Sequence, residues 1–231
     1  MGANIAANPG RVHRPGSRVD PGGASDGAVQ RAAASVREMV MERRLLPGQQ
    51  LRQEDLAKQI GISRGPLREA LQILCVDGVV THERNRGYFV TQFSSDEMGQ
   101  LYLARDLLET VVLSSLPIPS EEDLAELVAS NEAIRSAGVD TDLVMHHNDR
   151  FHAAVLALST RRLLVGEIER IWRMSIAYRA LSLSVLSDAA AVAEEHDRML
   201  DALRAGDGPQ LAELWRSHRQ VSLTRLAPIL R

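Results

Sequence analysis

Two hydrophobic rhythms divide the chain near residue 92. Ahead of it, short helical periods give way to a β-prone stretch; beyond it, helical spacing continues almost to the C-terminus. Across residues 28–44, Ala28, Ala32, Val36 and Met39/Val40 share one face and predict a first helix. Leu56-Ala57-Lys58-Gln59-Ile60 predicts a short second helix that closes at Gly61, a residue suited to the left-handed closing conformation. Leu67, Ala70, Leu71 and Leu74 then recur at helical spacing. Ser63 stands at the N-cap position of this third helix, Pro66 in its first turn and Asp77-Gly78 at its stop. Residues 79–83 and 88–91 alternate as strands do, and Arg84-Asn85-Arg86-Gly87 between them reads as a hairpin turn.

Two helices joined by a tight turn and followed at once by a basic-tipped hairpin predict a winged helix-turn-helix. Arg64 and Arg68 are four apart, so both project from one face near the start of the third helix, where a recognition helix meets base edges. Arg84 and Arg86 sit at the wing tip, placed for phosphates or a minor groove. The plainer alternative is a surface helical hairpin with solvated arginines. Cap, turn, proline, paired arginines and wing occurring together favour double-stranded DNA.

The remainder predicts a mainly α second domain. Ser94 with Glu97, and Ser120 with Asp123, form candidate capping boxes. The first opens a helix through Met98, Leu101, Arg105 and Leu108 that ends before Pro117 and Pro119; the second runs through Leu124, Leu127, Val128 and Ile134 to Gly138. Further helices are predicted over 141–158, over a long 161–183 with Leu164, Ile168, Ile171 and Ser175 inward, and over 188–204. The last runs from Gly208 through Leu211, Leu214, His218 and Val221. With a break near Ser114, six or seven helices form an antiparallel bundle. The expected organisation is a disordered arm at 1–27, rich in Gly and Pro, a winged helix at 28–92 and an all-helical domain at 93–231. The linker, 91–93, is short enough to restrict the geometry between the two domains.

Charge sharpens this division. The net charge of −3 hides ten Lys/Arg against seven Asp/Glu in 28–92, and fourteen against twenty-one in 93–231. Phosphate binding calls for the basic part; the acidic part needs another task. The single cysteine, Cys75, falls among core positions and reads as a small apolar residue. No apolar run approaches the ~20 residues of a membrane span, and residues 1–26 lack the apolar centre of a signal peptide. No membrane and a cytoplasmic location are therefore expected.

Three histidines, His152, His196 and His218, lie at the edges of apolar faces on three different predicted helices, and Asn148 precedes His152 by one turn. Imidazoles converging with one oxygen ligand suit a borderline divalent metal such as Zn²⁺ or Ni²⁺. Periodicity alone leaves the alternative of three separate hydrogen-bonded histidines open. Glu194 and Glu195 read as exposed helix charges, and His146 and His147 as exposed.

Residues 28–92 resemble the N-terminal domain of the GntR superfamily of bacterial transcription regulators. The resemblance rests on Leu46-Pro47-Gly48, Ile60-Gly61-Ile62-Ser63-Arg64, Pro66-Leu67-Arg68-Glu69-Ala70-Leu71 and Gly87-Tyr88-Phe89-Val90. It implies that Arg64 and Arg68 read guanine edges, that Ser63 holds a phosphate and that Gly87 approaches the DNA backbone. Residues 94–231 resemble the FadR-type ligand-binding (FCD) domain of the same superfamily through Tyr102-Leu103-Ala104-Arg105 with Glu109, Asn148-Asp149-Arg150-Phe151-His152, Glu195-His196 and His218. That resemblance implies a divalent metal on Asn148, His152, His196 and His218, with a small organic acid completing its coordination near Arg105. Together they imply a homodimeric, effector-responsive regulator on the bacterial nucleoid, most often a repressor, that binds a two-fold operator. A metal-dependent enzyme acting on a small acid, or a DNA-binding dimer with no effector, are the competing readings.

Overall fold

A computed structural model describes residues 21–184 and 188–226. The DNA-binding half comprises α1 (Pro21–Met41), β1 (Gln50–Leu51), α2 (Gln53–Ile60), α3 (Arg64–Val76), β2 (Val80–Glu83) and β3 (Gly87–Val90). The helical half comprises α4 (Ser95–Leu113), α5 (Glu121–Ala137), α6 (Thr141–Ala157), α7 (Arg162–Met174), α8 (Ile176–Ser184), α9 (Ala189–Ala205) and α10 (Gly208–Leu226).

In the first half, Leu67, Ala70, Leu71 and Leu74 of α3 are fully buried against Val36 and Val40 of α1. The three-stranded antiparallel sheet has the order β1-β3-β2, with Glu83 paired to Gly87 across the wing turn. Asn85 takes a left-handed conformation there (φ 64°), which asparagine adopts more readily than most side chains. The α2–α3 turn closes at Gly61, whose N–H bonds Ala57 O. Ser63 occupies the N-cap position of α3, but its side chain caps no amide.

Boundaries differ from the sequence reading in three places. Helix α1 begins at Pro21, so residues 21–27 of the expected arm are helical, and it ends at Met41 rather than Arg44. Residues 1–20 of that arm lie outside the described residues. A short β1, not anticipated, adds a third strand to the wing sheet. The expected long helix over 161–183 is two helices. Ser175 divides them, its hydroxyl bonding back to Ile171 O at 3.0 Å and Trp172 O at 3.3 Å, a local competition that bends helices. Both capping boxes form, at Ser94/Glu97 and Ser120/Asp123.

The two halves share a core. Met145 of α6 and Ile176, Ala177 and Ala180 of α8 belong to the same buried apolar cluster as α1 and α3. Polar contacts border it: Arg43 Nη2 donates to Asp142 Oδ1 at 2.5 Å, and Arg173 lies 3.3 Å from Asp77. Gly78 abuts Met174 so closely that a Cβ would lie 2.5 Å from Met174 Cγ. The linker is held as well, since Phe93 N–H donates to the Tyr178 hydroxyl, which donates to Phe93 O.

Candidate functional site

Helices α4, α6, α7, α8, α9 and α10 turn polar or aromatic side chains inward around one cavity. Helix α4 contributes Tyr102, Arg105 and Glu109 between the buried Met98 and Val112. Asn148 and His152 come from α6, His196 with Glu195 from α9, and His218 with Arg219 from α10. Trp172 of α7 and Arg179 of α8 complete a cavity of about 70 Å³. A water-sized centre needs ~10–15 Å³, so the cavity suits an ion with a small ligand and not a long chain.

His152 and His218 line this cavity and His196 is buried beside them, the ligating nitrogens of the three all within 4.8 Å of one another. His152 Nε2 and His218 Nε2 lie 3.2 Å apart. His196 stacks on Phe151 at 4.0 Å. Burial holds the His152 and His196 imidazoles well below their usual pKa, reinforced for His152 by the charges of His196, His218, Arg105 and Arg179, and for His196 by His218. Both are therefore neutral near pH 7, the form that ligates metal. Both ring nitrogens of His196, Nδ1 of His152 and Oδ1 of Asn148 are buried with no hydrogen-bond partner. Such atoms cost about 1–3 kcal/mol each when left unpaired. A donor set of imidazoles with one amide oxygen fits a borderline divalent ion, which would take one nitrogen of each ring together with the unpartnered Asn148 oxygen.

Two carboxylates missed as site residues organise this cluster. His218 Nδ1 bonds Glu195 Oε2 at 2.5 Å, which directs the Nε2 lone pair toward the other imidazoles. Glu195 is half-buried, a correction to its reading as an exposed charge; Glu194 is exposed. Glu109 accepts from Arg105 Nε at 2.9 Å, from Trp172 and Trp215 Nε1 at 3.0 Å each, and from Arg219. Arg105 thus lines the cavity and also makes an ion pair within the bundle. The signal for Glu109 was present in the sequence as an Arg/Glu pair at i,i+4 on an inward stripe. His146 is exposed, and His147, half-buried, lies outside the cluster.

On the other half, Ser63, Arg64 and Arg68 are exposed at the start of α3. Arg64 Nη2 bonds Glu54 Oε1 at 2.5 Å. At the wing, Arg84 is exposed, and Arg86 pairs with Glu83 and lies 5.0 Å over the Phe89 ring. Gly87 has φ 92°, and nothing lies within 4 Å of where its Cβ would be, so the wing backbone is open to an approaching surface.

Residues 28–90 match the bacterial regulatory proteins of the gntR family, and residues 100–221 match the FCD domain. The chain belongs to the GntR family. Among its relatives is the HTH-type transcriptional repressor GlaR of Escherichia coli K12, 28% identical over 74% of this chain and 83% of GlaR. The HTH-type regulator YdhC of Bacillus subtilis 168 is 25% identical over 73% of this chain and 77% of YdhC. The fold is shared with E. coli McbR/YncC at a TM-score of 0.77 and 20% identity, covering 88% of this chain and 99% of that one. As a GntR protein with an FCD domain, the chain is a DNA-binding transcriptional regulator, and the enzyme reading is excluded by its family. No described helix is long and apolar enough to cross a membrane.

Proposed function

We propose that this GntR regulator is a homodimeric, effector-controlled repressor whose helical domain holds a divalent ion on Asn148, His152, His196 and His218. A small carboxylate completes the coordination. The observation that carries this reading is the set of buried, unpartnered nitrogen and oxygen atoms gathered around three imidazoles. The ion, Zn²⁺ or Ni²⁺, supplies a positive centre for the carboxylate. Arg105 adds a second charge beside it, stacked 5.1 Å over Trp172 and 5.4 Å over Tyr102.

Operator recognition falls to α3 and the wing: Arg64 and Arg68 read base edges, Ser63 and Gly87 lie against the backbone, and Arg84 and Arg86 contact phosphates. The second copy docks on α4. Its outer stripe of Leu103, Leu107 and Val111 is 59%, 61% and 48% exposed, and it carries no charge that a two-fold axis would set against itself. Effector control follows from the shared core, because α6 and α8 touch both the cavity and the DNA-binding half.

The test is metal content. Purified protein should carry about one divalent ion per chain and lose it, with thermal stability, to a strong chelator. His196→Ala should stay helical and bind no ion; full occupancy in that variant sinks the site.

A further inference from the structure

The histidine cluster accounts for part of the polar lining of the cavity. Two further polar groups of that lining are buried without a partner: the Tyr102 hydroxyl and Arg179 Nε. Tyr102 is only 5% exposed and packs against Met98 and Tyr178, yet its hydroxyl reaches no protein acceptor. Arg179 is held in place by Asp149 through Nη1 and by the Trp172 ring, 5.2 Å from its guanidinium carbon. Its Nε–H is left over. Both side chains line the same cavity as His152 and His218. A buried O–H and a buried N–H with no acceptor carry the usual penalty of unmade hydrogen bonds, and a protein that keeps both in one small cavity is built to receive an acceptor there.

We propose that Tyr102 and Arg179 form a second acceptor subsite, so that the effector is a small dicarboxylate gripped at both ends. This rests on the metal-carboxylate reading above. One carboxylate meets the ion on the histidines; the other accepts from the Tyr102 hydroxyl and from Arg179 Nε. Arg105, Arg179 and Arg219 surround the Tyr102 hydroxyl with positive charge, which Glu109 offsets in part. A monocarboxylate of the same length leaves these two donors unpaired. A site built to hydrogen-bond a group rejects an analogue that lacks it more strongly than it rejects a change in apolar bulk.

The experiment is calorimetry on the full chain loaded with Zn²⁺, titrated with succinate and, separately, with butyrate. In the unmodified protein succinate should bind at least tenfold more tightly. In Tyr102→Phe and in Arg179→Lys the ratio should fall toward one, and as a ratio it is insensitive to any general loss of affinity. Tyr102→Phe removes only an unpartnered hydroxyl, so without effector its melting temperature should equal or exceed that of the unmodified protein. An undiminished preference in both variants, or equal binding of the two acids by the unmodified protein, overturns the second subsite and leaves the metal reading standing. Protein that takes up no Zn²⁺, or that binds neither acid once loaded, overturns both.

Discussion

Four donors converge on Glu109, whose side chain is 1% exposed. Burying a carboxylate is tolerable only with this many partners, and the partners need it equally. Glu109→Ala would leave Arg105 buried without its counter-charge, Arg219 with Asp106 alone, and two indole N–H groups unbonded. The expected cost is about 3–5 kcal/mol, read as a lowered urea midpoint. The histidines make the chelator-treated protein sensitive to pH. His152 and His196 titrate lower folded than unfolded, so between those two values the unfolded chain binds more protons. Their contribution is intact above the unfolded value of ~6.5 and is eroded as pH falls below it. Metal-free protein should therefore melt progressively lower from pH 7 to pH 5, and a flat profile would show the imidazoles free to protonate in place. Spacing put the three histidines at the edges of apolar faces and Asn148 one turn before His152, but only the family resemblance, not periodicity, implied that they share one site. Glu109 and Glu195 were not assigned, because a sequence shows which face a carboxylate occupies but not which cation waits across the bundle.

Element boundaries followed the same logic. Helix starts with reciprocal caps, at Ser94 and Ser120, could be read to the residue, since the signal is local. The α7–α8 break could not, because the apolar stripe continues through Ile168, Ile171 and Ser175 and only the hydroxyl of Ser175 competes with the ladder. That break matters, since it frees α8 to serve three neighbours. Ile176, Ala177 and Ala180 enter the core shared with α1, Tyr178 holds the linker at Phe93, and Arg179 reaches the cavity. Ala180, with no exposed surface, sits at the seam. Ala180→Leu should overpack it at about 1–3 kcal/mol and weaken the response of operator affinity to effector while leaving Zn²⁺ uptake intact. In α3 the Arg64–Glu54 pair is 71% exposed on both sides, and such a pair is worth at most ~1 kcal/mol, so DNA can take Arg64 from it. Replacing Arg64 or Arg68 by Ala should cost about 1–3 kcal/mol of specific affinity and relax one operator position. Arg86→Ala should weaken all sequences alike and flatten the salt dependence. Unchanged sequence preference in Arg64→Ala would remove α3 as the reading helix.

At the scale of the whole molecule, each chain carries one winged helix, seated on its own helical half through a continuous apolar core. The distance between two recognition helices is then fixed by how two helical halves meet, and it must match about one turn of DNA, ~34 Å, or a multiple of it. In the proposed dimer the uncharged stripe of α4 would meet its own copy across a two-fold axis, so any residue placed there would face a copy of itself or a near neighbour. Leu107→Glu would set two like charges on the most exposed of the three stripe positions. It adds no charge to any buried site within one chain. The variant should therefore keep its helix content, its melting behaviour and its Zn²⁺, yet run as a monomer in light scattering after size exclusion. Two half-sites bound by linked modules gain a factor of roughly 10²–10⁴ over one bound alone, so the monomer should lose about that much affinity for the full operator. Its affinity for a single half-site should stay unchanged. A dimeric Leu107→Glu protein with full operator affinity would move the dimer contact away from α4, and the operator spacing would then have to be explained by another face of the bundle.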